Sequence, residues 1–334
     1  MKFPKLAVVL AMALTFSACG SSYSDADMNS EDFLAMDTYI SLAAYGEGSE
    51  IALANARREI KSIEALLSVT DPDSEVYRIN AADGETAVSE DTAGLINFAL
   101  YLNDVTEGAF DITLYPVSKE WGFTTGEYKV PDGGRIEELL KNTGCKNIIY
   151  ADNTISLPEG YAIDLGALGK GFAGDRAAAV LKEKGVTSAL LNLGGNIQLV
   201  GAKPDGSPWS IGIQNPFGEG NIAVLKTSDK AVVTSGGYQR YFEAEGKRYC
   251  HIIDPATGYP VDNGLASVTV VAASGLLCDG LSTALFVTGE KGAVDFWRQQ
   301  GDFDMIIVTE DQRVLVTEGI FEDCSGEGLE KLER

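Results

Sequence analysis

The glycine-rich stretch DLGALGKGFAGD runs from Asp164 to Asp175, at the middle of the sequence. It contains a formal G-x-G-x-x-G pattern from Gly169 to Gly174, the spacing of a dinucleotide-binding turn. That class also needs an acidic residue at the end of the following strand, but the strand predicted over 189–193 runs into two glycines. A P-loop fails too, because Gly171 stands where Ser or Thr would hold magnesium.

The chemistry of this stretch still predicts a turn that binds an anion. Glycines let the backbone approach a ligand closely, and the helix predicted over about 171–184 offers free amide groups at its start. Lys170 adds a positive charge just before that helix. A plain surface loop is the alternative, and the combination of features favours the phosphate-facing turn.

The composition limits the possible partners. With 334 residues, of which 45% are hydrophobic, the chain can bury one large core or two moderate ones. Its 49 acidic and 26 basic side chains give a formal net charge of −23, so the surface repels nucleic acid and we expect none as a partner. The same charge repels anionic small substrates, so a phosphate site would need local donors or a metal ion.

The N-terminus has the pattern of a lipoprotein signal peptide. Lys2 and Lys5 precede an apolar run over 6–15, and small residues lead to Cys19, which would become the lipidated first residue. Ordinary cleavage after Ala18 with a free thiol is the alternative. We expect a signal peptide over 1–18, a flexible tether over 19–32 and a folded domain over 33–334. The apolar run is too short to span a bilayer. The protein should therefore be extracytoplasmic and lipid-anchored to a bacterial cell membrane.

The remaining four cysteines do not predict a metal site. They lack CxxC spacing, and the chain contains a single histidine, so structural zinc is not expected. Export would permit disulfides, but the scattered positions favour small buried thiols and name no pairing.

Periodicity predicts the α+β class, as a single compact, two-lobed unit with mainly antiparallel sheets flanked by helices. Alternation over 36–42 indicates an opening strand, and apolar residues over 51–67 share one helical face. Further helices are predicted over about 91–105 and 274–287. Hairpins are predicted to turn at Asp152-Asn153, Glu245-Gly246 and Asp311-Gln312.

Two further patterns carry possible chemistry. His251 precedes Asp254 and a Pro-Gly turn; a lone histidine can act as a general base, or can simply be a packed residue. Asp279 and Thr283 are spaced i,i+4, so a helix would project both oxygens from one face as hard ligands for magnesium. The alternative is an Asp near a helix start and a Thr bonded to its own backbone.

Taken together, the motifs resemble those of the ApbE-type FAD:protein FMN transferases over about 33–317. Five stretches occur in the same order as in that family: 164–175, 192–196, 234–240, 251–258 and 279–286. Matches extend to 36–38, 108–113 and 121–123. The sequence departs from the family pattern at Asn196, where Asp is usual, at Gly169, where Ala usually precedes the Lys, and at Asp37, where Gly is frequent.

The resemblance implies an exported, Mg²⁺-dependent enzyme that moves FMN from FAD to a Ser or Thr hydroxyl of an acceptor flavoprotein and releases AMP. It implies a metal site formed by Asp279, Thr283 and the Gly169 carbonyl. His251 is the first candidate for the base and Asp254 the second, with Lys170 holding the anion. The implied FAD contacts are Met36, Phe110, Asp164, Lys170, Gly194, Gly195, Ser235, Gly236, Tyr238 and His251. For Met36, Phe110 and Tyr238 a core role is the alternative.

Two other functions remain open at this point. With water as acceptor the same site would be an FAD pyrophosphatase, and without turnover the protein would be a flavin-binding lipoprotein. Acceptors of this family carry a motif that resembles Asp-x-x-Ser/Thr-Gly-Ala-Ser/Thr. This chain lacks the motif, so we do not expect it to flavinylate itself.

Overall fold

The computed structural model describes residues 28–334. The predicted signal peptide and Cys19 lie outside this range. Among the described residues, no helix combines the length and the apolar character needed to cross a bilayer.

The described chain is built of short strands and eight α-helices. The strands are β1 Met28–Ala35, β2 Thr38–Tyr45, β3 Thr86–Ala87, β4 Ile149–Ala151, β5 Thr154–Ser156, β6 Ala189–Leu193, β7 Asn196–Val200, β8 Trp209–Gln214, β9 Asn221–Thr227, β10 Ala231–Gly236, β11 Tyr241–Ala244, β12 Lys247–Cys250, β13 Leu265–Ala272, β14 Asp304–Thr309, β15 Val314–Thr317, β16 Cys324–Gly326 and β17 Leu329–Leu332. The helices are α1 Ser49–Leu67, α2 Glu75–Ala81, α3 Glu90–Val105, α4 Tyr115–Glu120, α5 Gly133–Leu140, α6 Gly166–Glu183, α7 Gly275–Gln300 and α8 Glu318–Phe321.

A nine-stranded sheet organises the fold, in the order β1-β2-β6-β7-β10-β13-β14-β15-β17. All neighbouring pairs are antiparallel except β15 and β17. Every residue of the central strand β13 is buried, because both faces of the sheet are covered. The predicted α+β class with mainly antiparallel sheets is confirmed.

The two faces of this sheet pack against different layers. One face carries helices α1, α6 and α7 and forms the main core, which includes Ile40, Leu191, Val268 and Leu285. The other face is covered by the three-stranded sheet β16-β9-β8, whose Trp209 and Leu225 pack against Val232 and Val271. Residues alternate between the two cores along β10 and β13, as the period of two in a strand requires.

A third, aromatic cluster joins α4, α5 and the β11–β12 hairpin. Trp121 and Phe123 are fully buried there and contact the ring of Phe242. The Trp121 indole N–H donates to the Gly258 carbonyl at 2.9 Å. This bond ties the cluster to the turn that follows His251.

Most of the local predictions are confirmed. The bounds of helices α1 and α3 agree with the predicted ones within two residues. The three predicted hairpins are present as β4–β5, β11–β12 and β14–β15. Asp152 and Asn153 adopt φ of 49° and 57°, the conformation that Asn and Asp tolerate in a two-residue hairpin turn.

Three boundaries differ from the predictions, and one helix was not predicted. The folded domain begins at Met28 rather than at residue 33, so residues 28–32 of the predicted tether belong to β1. This edge strand was not predicted because its residues are mostly polar, and only one of its faces packs against the core. Helix α6 begins at Gly166, five residues early, because packing overrides the low helix propensity of glycine. Helix α7 continues to Gln300 through a kink at Gly289, and α2 was not predicted.

Helices α6 and α7 cross at a contact that admits no side chain on either partner. A Cβ on Gly171 would lie 2.2 Å from the Gly275 carbonyl oxygen and 2.7 Å from Asp279 Cβ. A Cβ on Gly275 would lie 2.7 Å from the Gly171 carbonyl oxygen. The two glycines therefore set the distance between the helices.

We expect Gly171→Ala to destabilise the protein by roughly 1–3 kcal/mol, because the added methyl must push two backbones apart. Gly94→Ala is the matched control, since Gly94 lies in helix α3 with open space around its Cβ position. This control should stabilise the protein by up to about 1 kcal/mol. Urea unfolding measures both changes, and a harmless Gly171→Ala would contradict the close crossing.

Candidate functional site

Asp279 is held between the two crossing helices. It is 4% exposed, and its Oδ2 accepts a hydrogen bond of 2.8 Å from the Gly171 N–H. Within residues 28–334 its carboxylate accepts no other hydrogen bond. A buried carboxylate needs compensation by donors or a cation. Asp279 therefore has bonding capacity left for a ligand.

The contact with Asp279 involves the first turns of helix α6. The Gly171 N–H, in this part of the helix, donates to the Asp279 carboxylate on α7. Gly169, whose carbonyl is the predicted backbone ligand, lies two residues earlier in the same helix.

Two hydroxyl groups lie one turn further along α7, and a third faces them from β10. Thr283 Oγ1 is 3.2 Å from Ser235 Oγ at the end of β10, and Ser235 Oγ is 2.8 Å from Ser282 Oγ. Ser282 donates to the Asp279 carbonyl oxygen at 3.0 Å. The structure thus brings together the predicted residues Asp279, Thr283 and Ser235. Ser282 was missed, since an isolated Ser in an apolar helix carries no sequence signal.

A cluster of charged groups faces the start of α6. Burial raises the pKa of the Asp164 carboxyl, and the Gly166 N–H, Arg240 and Lys170 act in the opposite direction. The Gly166 N–H donates to Asp164 Oδ1 at 2.8 Å. Arg240 belongs to a sequence motif but had no predicted role. These positive groups counter the overall negative charge locally, as an anion site requires.

His251 belongs to the same cluster and has a defined tautomer. Its Nδ1 lies 3.2 Å from the Arg240 carbonyl oxygen, which can only accept, so Nδ1 carries the proton. The Nε2 atom is then left with a lone pair. Burial lowers the pKa of His251 to about 4, and repulsion from Arg240 and Lys170 acts in the same direction. The imidazole is neutral at pH 7.

Two turns between strands of the nine-stranded sheet contain predicted flavin contacts: the β6–β7 turn and the β1–β2 turn. The Gly194-Gly195 turn joins β6 to β7 with φ of 63° and 98°. A Cβ on Gly194 would lie 2.2 Å from Thr38 Oγ1, so this turn touches the end of the β1–β2 hairpin. Met36 Cε lies 3.5 Å from the Cβ position of Gly169. Met36 thus lies beside Gly169 of α6, whereas Gly194 lies beside Thr38.

Two other predicted flavin contacts have different surroundings. The Tyr238 ring is partly buried over Gly236, where a Cβ would lie 2.7 Å from it, and burial raises the Tyr238 pKa. Phe110 is 2% exposed and packs within the main core, as its alternative structural role requires, and its contact with the flavin stays a prediction.

Asp254 is engaged in its own turn. Its Oδ1 accepts from the Ala256 N–H at 2.8 Å, and its Oδ2 accepts from the Thr257 hydroxyl at 3.2 Å. Its backbone also accepts from the Gly258 N–H at 2.8 Å. These bonds indicate a turn-forming residue, and they leave His251 as the better candidate base.

Comparisons with known proteins identify the family of the chain. Residues 36–307 match the ApbE family. The chain is 36% identical over 302 residues to an FAD:protein FMN transferase of Klebsiella pneumoniae, covering 88% of this chain and 93% of that protein. A Vibrio cholerae protein of the same name is 37% identical, covering 76% of this chain and 78% of its own length. The ApbE protein of Thermotoga maritima has a similar structure, with a TM-score of 0.82, 34% identity, and coverage of 87% and 97%.

A protein with an anion-facing helix start, a buried carboxylate and a neutral histidine could bind and activate a phosphate ester. The family match is more specific than this chemical class. The chain belongs to the ApbE family.

We expect the imidazole of His251 to titrate with a midpoint near 4. The chain contains one histidine, so its NMR resonance needs no assignment by mutation. The unfolded value is about 6.5. The stability that neutral His251 contributes is therefore present above pH ~6.5 and falls as the pH drops toward 4. A native midpoint near the unfolded value, unchanged by urea, would contradict the burial of this ring.

Proposed function

We propose that this protein transfers FMN from FAD to a Ser or Thr hydroxyl of an acceptor flavoprotein and releases AMP. The curated relatives are named FAD:protein FMN transferases, and the chain covers most of their length. The observation that carries the proposal is the convergence at the start of α6. There Asp279 bonds Gly171, while Lys170 lies close enough to act on both Asp164 and His251.

The same residues fit a magnesium ion as the cofactor. The donor set combines the Asp279 carboxylate, the Thr283 hydroxyl and the Gly169 carbonyl of α6. All are hard oxygen ligands of the kind that Mg²⁺ prefers, and Asp279 has free accepting capacity in a buried place. When bound, the ion would neutralise the pyrophosphate of FAD and the departing AMP.

The protein's own groups suggest how the transfer proceeds. His251 Nε2 accepts the proton of the acceptor hydroxyl while Nδ1 stays bonded to the Arg240 carbonyl. The hydroxyl oxygen forms a bond to the phosphorus of the FMN half, and the pyrophosphate P–O bond to AMP breaks. Lys170, in the first turns of α6, stabilises the negative charge that remains on AMP.

The low pKa of His251 has a consequence for this step. The free enzyme holds a weak base, because positive neighbours and burial disfavour the imidazolium. A bound pyrophosphate brings negative charge to Lys170 and Arg240 and so raises the proton affinity of His251. The base is therefore strengthened when FAD occupies the site.

One assay tests the proposed function against its two alternatives. The protein is incubated with FAD, with and without magnesium, and with and without an acceptor that carries an Asp-x-x-Ser/Thr-Gly-Ala-Ser/Thr-like motif. The proposal expects AMP together with flavin-labelled acceptor, lost on chelation with EDTA. AMP formed equally without any labelled acceptor would indicate an FAD pyrophosphatase. FAD binding without AMP would indicate a binding protein.

We expect His251→Ala to slow transfer by roughly 10²–10⁴-fold while FAD affinity changes little, because the removed group takes the proton and the anion keeps its other partners. Single-turnover labelling of the acceptor and a separate FAD titration measure the two effects. Added imidazole should restore part of the rate. Transfer at the wild-type rate would show that another group takes the proton.

We also propose that the enzyme is exported and held at a bacterial membrane by a lipid on Cys19. This proposal depends on the charged start, the apolar run over 6–15 and the small residues before Cys19. The first described strand begins nine residues later, at Met28, and pairs with β2 at the edge of the nine-stranded sheet. The anchor and the site would then be independent modules.

We expect Cys19→Ala to move the protein from the membrane fraction to the soluble fraction with unchanged transfer activity. Cell fractionation and the acceptor assay measure the two properties. Cys324→Ala is a suitable control, because that thiol lies in β16 and should affect neither. A Cys19→Ala protein that stays with the membrane would rule out lipid attachment there as the anchor.

A further inference from the structure

The carboxylate of Asp175 connects the two crossing helices. Asp175 lies on α6, and its Oδ2 accepts hydrogen bonds from the Ser274 hydroxyl at 2.8 Å and from the Leu276 N–H at 3.0 Å. Its Oδ1 accepts from the Gly275 N–H at 2.6 Å. All three donors belong to the cap and first turn of α7, so one side chain of α6 holds the start of the other helix.

These bonds are of the strong kind. A carboxylate at a helix N-terminus interacts favourably with the helix dipole, and hydrogen bonds to an ionised acceptor are about twice as strong as neutral ones. The Ser274 hydroxyl caps α7 at a single amide, because in the described part of the chain it accepts only from the Leu277 N–H, at 3.2 Å. The Asp175 contact adds a tie between helices that the local cap cannot supply.

The Asp175 contact lies one helical turn from the contact between Asp279 and Gly171. Asp279 lies one turn after Gly275 on α7, and Gly171 lies one turn before Asp175 on α6. The Asp175 bonds and the Asp279 bond to Gly171 are thus two successive rungs between the same helices, on either side of the glycine contact. Movement of the first rung would displace the second.

We propose that Asp175 is a positioning residue, which holds the start of α7 so that Asp279 and Thr283 stay in place beside the first turns of α6. The inference deepens the proposed function and rests on it for the metal. The residue itself does not touch the reacting atoms. It sets the geometry of the ligands that do.

The first test needs no metal. In Asp175→Asn, one accepting oxygen becomes a donor that faces other donors, while the shape of the side chain is kept. Amide hydrogen exchange should become faster at Gly275 or Leu276, whichever loses its accepting oxygen, and also at Gly171, whose partner is Asp279. Faster exchange at Gly171 is the diagnostic result, because a purely local cap would change only the start of α7.

The second test measures the metal dependence of the purified full-length enzyme. Outer contacts that orient metal ligands typically contribute 10–100-fold to metal affinity. We expect the magnesium concentration for half-maximal activity to rise by about that factor in Asp175→Asn, with kcat at saturating magnesium within about threefold of wild type. Calorimetric titration with magnesium alone should show the same weakening.

Glu75→Gln is the matched control. The Glu75 carboxylate accepts from the Ser89 N–H at 3.0 Å and from the Ser89 hydroxyl at 2.9 Å, so it ties α2 to the cap of α3 in the same way. This variant loses the same charge and a comparable helix tie. It should lower the melting temperature without changing the magnesium dependence.

Two results would overturn the proposal. One is unchanged exchange at Gly171 in Asp175→Asn, and the other is an equal shift of magnesium dependence in Glu75→Gln. If Asp175→Asn fails to fold, Ser274→Ala removes one donor to the same carboxylate and should show smaller changes in the same direction. A wild-type enzyme that is active after chelation would refute the metal assignment instead, and exchange at Gly171 would still decide whether Asp175 positions Asp279.

Discussion

The contact of α6 with α7 at Gly171 and Gly275 is the constraint on which the site depends. Neither position has room for a Cβ, so the two backbones approach closely and polar groups replace side-chain packing there. The Gly171 N–H then reaches the Asp279 carboxylate, and the Asp175 carboxylate reaches the first amides of α7. Glycine serves here as a means to bring one helix within bonding distance of another.

The electrostatics of the site oppose those of the whole protein. A net charge of −23 disfavours an anionic substrate, yet Lys170 and Arg240 lie where Asp164 and His251 meet the start of α6. Burial and these positive neighbours keep His251 neutral, which leaves Nε2 able to accept a proton. A local field of this kind selects a phosphate that reaches the helix start and leaves the remaining surface repulsive to polyanions.

Local patterns predicted much of the fold. The apolar faces of α1 and α3 and the polar turns at Asp152-Asn153 and Glu245-Gly246 depend on neighbouring residues only, so their sequence signals are sufficient. The start of α6 was placed too late because its glycines disfavour a helix in isolation. The strand β1 was read as part of a tether, since its polar residues form a strand only when β2 pairs with them.

The sequence by itself determined which residues could do chemistry: Asp279 and Thr283 at helical spacing, Lys170 beside glycines, and a single histidine. Residue types and short spacings encode that information. Only the tertiary structure decided how they meet. It placed Ser235 against Thr283, turned His251 Nδ1 to the Arg240 carbonyl and buried Phe110 in the core. It also revealed Asp175 as a tie between helices. These relations join residues up to 101 positions apart, and their distances arise from the packing of the sheet and its helices, which no local pattern contains.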